Sequence, residues 1–146
     1  MSNTVSIYKL LKDPHVQSEL IPDKTNGFLL SLMAISAYVV TADHIVMESE
    51  TAFVQSFLQK YYGEADAREY FSIFRQLIAV FKREGRQPLV PKIQRCCTYI
   101  VHCFYDEKEA LSLVTKYLHL LAASDNATST EETKAIEELT LWLDKP

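Results

Sequence analysis

The sequence predicts an all-α fold, with about seven helices in a single-domain bundle that contains an internal pseudo-twofold repeat. Apolar residues recur at helical spacing along most of the chain, and no segment shows the alternation of a half-buried strand. Only three glycines and five prolines occur in 146 residues, which argues against a loop-rich or all-β chain. A long apolar segment, an acidic turn and an amphipathic helix also occur twice in this order, offset by 82 residues between Asp43 and Asp125.

The first predicted elements are an N-terminal helical arm and a central helix. The arm covers residues 1–24, with one or two short helices around Pro14 that end at Pro22. The central helix is expected at residues 26–42. Its residues 28–42 leave no polar stripe for solvent, so we expect it to lie at the centre of the domain. This apolar segment is shorter than the roughly 20 residues that cross a bilayer.

Five further helices are predicted from their apolar periodicity. The second of these carries an aromatic stripe of the kind that packs in a core more often than it binds a ligand. The whole chain, 1–146, is predicted to be one domain with repeat halves at 25–84 and 85–146. The predicted helix bounds are 48–62, 65–83, 91–105, 107–123 and 130–144.

The segment Lys82–Arg95 joins the two predicted halves and is strongly basic, with five Lys or Arg residues against one Glu. Gly85, Pro88 and Pro91 predict a hinge there. The segment is either a docking patch for an acidic partner or phosphate, or a solvated connector that balances the acidic C-terminal third. We favour the connector, because no aromatic platform or phosphate-binding loop interrupts the basic residues.

The repeated acidic turns are the main candidate site. Asp43 and Glu50 flank the first turn, and Asp125 and Glu132 flank the second. If the halves pack around a pseudo-twofold axis, the four carboxylates meet, and each close pair repels by roughly 3–4 kcal/mol at an effective dielectric near 20. Because neither turn contains a lysine or arginine, we expect a divalent cation to neutralise this cluster.

Two interpretations of these four residues remain open. Oxygen ligands favour Ca²⁺ or Mg²⁺, whereas a nitrogen ligand from His44 would shift the preference toward Mn²⁺ or Zn²⁺. Alternatively, each aspartate bonds to the backbone of its own turn, and each glutamate stabilises a helix N-terminus. Neither turn matches an EF-hand loop.

The motif residues resemble those of the TerB-like domain family, with its repeated signature of Ala-Asp-Gly followed by Glu. The resemblance covers about residues 25–143 and implies an all-helical domain with pseudo-twofold symmetry and an acidic cluster that binds a divalent metal. The family is known from bacterial tellurite-resistance proteins and from membrane-anchored DnaJ-like co-chaperones. His44 and Asn126 stand where the family has glycine, and Asn tolerates a left-handed backbone better than His. The segments that carry the resemblance are ADHIV at 42–46 with Glu50, and SDNAT at 124–128 with Glu132.

Composition excludes several other classes. A net charge of −4 and a pI near 5.5 give no general attraction to nucleic acid. Cys96, Cys97 and Cys103 lie on one predicted helix without a CxxC spacing, so we expect reduced core thiols. The N-terminus lacks the features of a signal peptide, and we therefore expect a cytoplasmic protein without a transmembrane segment.

The sequence also indicates that the protein is not an enzyme. It contains no nucleophile elbow, phosphate loop, zinc signature or dinucleotide fingerprint. His102 and Cys103 would point about 100° apart on a helix, and His119 is expected in the core. The leading hypothesis is a non-catalytic TerB-like module that binds a divalent cation and acts through protein partners in stress response or a membrane-associated assembly. The alternatives are a metal-free protein-interaction domain and a metal-dependent hydrolase.

Overall fold

In the computed structural model, the described residues are 24–104, 108–124 and 128–144. These residues form six α-helices and one 3₁₀-helix and contain no strand, so the predicted all-α class is confirmed. The short helices predicted around Pro14 lie outside the described residues. The elements are α1 (Lys24–Val40), α2 (Glu48–Tyr62), α3 (Glu64–Glu84), the 3₁₀-helix (Gln87–Leu89), α4 (Val90–Cys103), α5 (Lys108–Ala122) and α6 (Thr130–Asp144).

The helix bounds follow the periodicity of the sequence. The predicted bounds of α2 and α6 match the structure, and those of the other helices differ by one or two residues. Glycines set two of the breaks, since Gly63 and Gly85 flank α3 with φ angles of 84° and 87°. Because residues with a side chain rarely adopt positive φ, these positions favour glycine and interrupt the helical run.

The helix α1 lies at the centre of the bundle, as its apolar sequence predicts. All residues from 31 to 42 are buried, and the helix contacts α3, α4, α5 and α6. The core contains side chains from all six helices. None of the helices in the described ranges combines the length and apolar content needed to span a membrane.

The aromatic stripe of α3 belongs to the core, which confirms the prediction for this helix. Tyr70, Phe74 and Phe81 are all at most 5% exposed. Phe81 also contacts Tyr38 of α1, with ring centroids 6.1 Å apart. The helix therefore packs against α1, and Phe81 supplies an aromatic contact between them.

Most of the basic segment Lys82–Arg95 is helical, because α3 continues to Glu84 and α4 begins at Val90. Between them, Arg86 packs on α1: its Nη2 donates to the Tyr38 backbone carbonyl at 2.9 Å, and its guanidinium lies 3.9 Å from the Tyr38 ring centroid. The last carbonyls of a helix lack helical donors and carry partial negative charge. Arg86 therefore stabilises the C-terminal end of α1, a role that neither sequence interpretation assigned.

Candidate functional site

The first acidic turn connects α1 to α2. Asp43 accepts a hydrogen bond through Oδ1 from the backbone N–H of Ile45 at 3.1 Å, which closes a turn over two residues. His44, at the position where TerB-like domains have glycine, has a φ angle of 65° and is thus left-handed. A negative side chain is disfavoured at a helix C-terminus unless it has a partner, and the Ile45 N–H is the partner of Asp43.

Glu50 lies in the first turn of α2 and has no exposed surface. Its Oε1 accepts a hydrogen bond from the backbone N–H of Met47 at 2.9 Å. This is the contact that a glutamate makes in a capping box, where it reaches back to the N–H of the N-cap residue. The carboxylate therefore satisfies a backbone donor at the start of the helix.

Glu132 has the same local role at the start of α6 and is 3% exposed. Its Oε1 accepts from the backbone N–H of Ser129 at 3.0 Å, while its own N–H donates to Ser129 Oγ at 3.0 Å. Both halves of a capping box are thus present. The other predicted residue of this turn, Asp125, lies outside the described residues.

The described carboxylates do not assemble the predicted metal site. Across residues 24–104, 108–124 and 128–144, no three His, Cys, Asp or Glu side chains are grouped so that they could hold a metal ion. Asp43, Glu50 and Glu132 each accept a backbone N–H of their own turn instead. Three of the four predicted ligands thus have backbone partners in their own turns, and a site that combines them with Asp125 stays a prediction.

A second candidate site is a groove of about 320 Å³ between α2 and α5. Its volume is at the lower end of the range for ligand sites, and it is open to solvent. Each of the two helices packs more extensively on another neighbour, α2 on α3 and α5 on α6. The limited contact between α2 and α5 leaves this space between them.

Aromatic rings form the floor of the groove. Phe53, Phe57 and Tyr61 follow one another at four-residue spacing on α2, so they lie along one face of the helix. Tyr117 of α5 faces them, with its ring centroid 4.8 Å from that of Phe57 and 5.7 Å from that of Phe53. Such tilted contacts are favourable between aromatic rings. The floor is therefore a connected apolar surface.

Tyr117 also connects this floor to the central helix. Its hydroxyl is 3.0 Å from Ser36 Oγ, within hydrogen-bond distance, and Ser36 is a fully buried residue of α1. Burial raises the pKa of Tyr117 above its usual value, and the Ser36 hydroxyl partly offsets this effect. The contact with Ser36 therefore holds the ring of Tyr117 at a defined position.

The rim of the groove is positively charged. Lys60 of α2 and Lys116 of α5 are exposed, and no acidic side chain is among the described residues that line the groove. Neither lysine lies within salt-bridge distance of a carboxylate in the described part of the chain. Leu120, 52% exposed, extends the apolar surface at the α5 side. The groove combines an apolar floor with one cation on each wall.

The sequence did not predict this groove, because apolar periodicity places the helix without distinguishing Phe53, Phe57 and Tyr61 from core residues. These three side chains are only partly buried. The buried face of α2 is instead the adjacent stripe that begins at Val54 and continues four and eight residues later. The sequence contained one signal of an uncovered face: α2 has two neighbouring apolar stripes, although one packing face needs only one.

No protein-family model, curated protein or solved structure matches the chain. The TerB-like resemblance therefore rests on the motif residues alone.

Proposed function

We propose that this chain is a non-catalytic helical recognition module that acts through a protein partner bound in the groove between α2 and α5. This is the metal-free interaction alternative among the three sequence hypotheses. The observation that carries it is a solvent-open aromatic floor between two helices, flanked by lysines. The TerB-like resemblance supports a role in stress response or in a membrane-associated assembly.

The local geometry of the glutamates supports a metal-free module. A capping box requires a Glu or Gln at the third helical position, and it forms without any cation. Glu50 and Glu132 both make this contact, so helix capping accounts for their spacing from the preceding turns. A metal-dependent hydrolase would instead require carboxylates that converge on one ion.

The helix bounds support the proposed internal repeat. The helices α2 and α6 are each 15 residues long, and their first residues, Glu48 and Thr130, are 82 positions apart. The same offset relates the last residues of α1 and α5, Val40 and Ala122. Under this proposal the groove lies between one helix from each half.

The fluorescent probe 8-anilinonaphthalene-1-sulfonate tests the site, because it pairs an apolar aromatic body with an anionic group. We expect the folded chain to bind it, and we expect Leu120→Ser to weaken binding about fivefold through loss of apolar contact. Leu30→Ser is the matched control, since Leu30 is 49% exposed on α1 outside the groove. Equal binding by the wild type and a Phe57→Ala, Leu120→Ser double variant that remains folded by near-UV circular dichroism would exclude the groove as the site.

A further inference from the structure

We infer that the groove between α2 and α5 binds an acidic amphipathic helix of two to three turns, supplied by a protein partner. This inference rests on the proposed function and specifies the partner. It follows from the charge of the rim, the shape of the groove and the spacing of the aromatic floor.

The charge of the groove rim determines which charge the partner should carry. Lys60 and Lys116 lie on opposite walls of the groove, although the chain as a whole has a net charge of −4. The rim of the groove is therefore positively charged, whereas the net charge of the whole chain is negative. Acidic side chains along the edges of a bound segment can pair with both lysines, whereas basic side chains would be repelled. Charge at the rim of an interface contributes mainly to specificity and association rate.

The shape of the groove selects a helix over a small amphiphile. Sites for small ligands bury about 70–90% of the ligand surface. This groove is open to solvent, so a bound molecule keeps one side in water. An amphipathic helix has one apolar face to place in the groove and one polar face that stays hydrated.

The spacing of the floor sets the length of the partner segment. Phe53 and Tyr61 are eight residues apart on α2, which corresponds to about 12 Å, or roughly two turns. Apolar side chains at positions i, i+3 or i+4, and i+7 of a partner helix cover the same distance. Acidic residues next to that apolar face would then reach Lys60 and Lys116.

The test uses two fluorescein-labelled peptides with the same leucine face, one with glutamates and one with lysines at the flanking positions. We expect the complete chain to bind the acidic peptide at least about tenfold more tightly in fluorescence anisotropy. Two ion pairs at the rim and the loss of like-charge repulsion account for this ratio, which corresponds to about 1.4 kcal/mol. In the Lys60→Glu, Lys116→Glu variant the preference should reverse.

The matched control is Lys92→Glu, Lys134→Glu, which changes the net charge equally at two exposed lysines outside the groove. The control should retain the wild-type preference. If the wild type bound both peptides equally, or if the control lost the preference for the acidic peptide as fully as the groove variant, the acidic partner would be refuted. The groove would then remain a recognition site. Preferential binding to phosphatidylserine vesicles, with no peptide competition, would overturn the peptide class. Failure of both peptides and of the anilinonaphthalene probe would refute the proposed function itself.

Discussion

Replacing Glu50 by glutamine separates helix capping from metal ligation. The amide oxygen of Gln can still accept the Met47 N–H, and Gln is an accepted residue at this position of a capping box. The substitution removes the negative charge near the helix N-terminus, which costs about 0.3–1 kcal/mol. We therefore expect Glu50→Gln to fold normally with a small loss of stability.

Glu50→Ala should be much more destabilising, because the acceptor is lost as well. A hydrogen bond that involves a charged group contributes about 1.5–3 kcal/mol, and the removed side chain has no exposed surface, so a cavity adds to the cost. A total of about 3 kcal/mol lowers Tm by about 6–12 °C for a chain of this size. Glu132→Gln and Glu132→Ala should show the same order of effects.

The assay is urea unfolding followed by circular dichroism at 222 nm, with and without EDTA. Glu131→Gln is the control, because Glu131 is an exposed acidic residue in the same first turn as Glu132. If Gln destabilised the protein as much as Ala at either position, the carboxylate charge itself would be required. Capping alone could not explain that result.

Three further predictions concern the other interactions. Arg86→Ala should lower the free energy of unfolding by about 2–3 kcal/mol, because the contacts with the Tyr38 carbonyl and ring are lost. Lys82→Ala, at an exposed position of the same segment, should change it by less than about 0.5 kcal/mol. Similar losses in both variants, measured by urea unfolding, would contradict this prediction. Burial and a hydrogen bond to a neighbouring carboxylate raise the pKa of Tyr38 from 10.0 to about 12. The unfolded phenol therefore ionises first, so stability should fall by up to about 3 kcal/mol as pH rises from about 10 to 12, and Tyr38→Phe should flatten this slope in urea unfolding at several pH values. A metal-free module should show no Tm change when EDTA is replaced by Ca²⁺, Mg²⁺, Mn²⁺ or Zn²⁺; stabilisation near 2.7 kcal/mol at a hundredfold excess over Kd, abolished by Asp43→Asn with Asp125→Asn, would support the cation site instead.

The sequence predicts the helices well because their signals are local. Apolar periodicity identifies each of the six described helices, and two glycines mark the breaks around α3. The turn chemistry of Asp43 and the N-terminal role of the two glutamates were also among the open interpretations. Both depend on neighbours within three residues, so short-range reasoning reaches them.

Features that depend on packing between distant segments were not predicted. The contact between Arg86 and Tyr38 joins residues 48 positions apart, and basic composition alone does not indicate it. His119 was expected in the core but is exposed, so that prediction was wrong. The reason is that α5 presents part of its surface to solvent, including the adjacent Leu120, whereas residues 31–40 of α1 are all buried. The groove has the same origin, since the limited contact between α2 and α5 leaves Phe53, Phe57 and Tyr61 partly uncovered.

The position of Tyr117 determines which substitutions can report on binding. Its ring forms the floor of the groove, while its hydroxyl meets Ser36 inside the core. A change at Tyr117 would therefore alter folding and recognition together, because it affects a buried polar contact as well as the surface. Lys60 and Lys116 are exposed at the rim, and the ring contact of Lys60 is to the partly buried Tyr61, 5.3 Å from its centroid, rather than to a core residue. A change in peptide preference at these two lysines can thus be attributed to the charge of the groove rather than to a weakened fold.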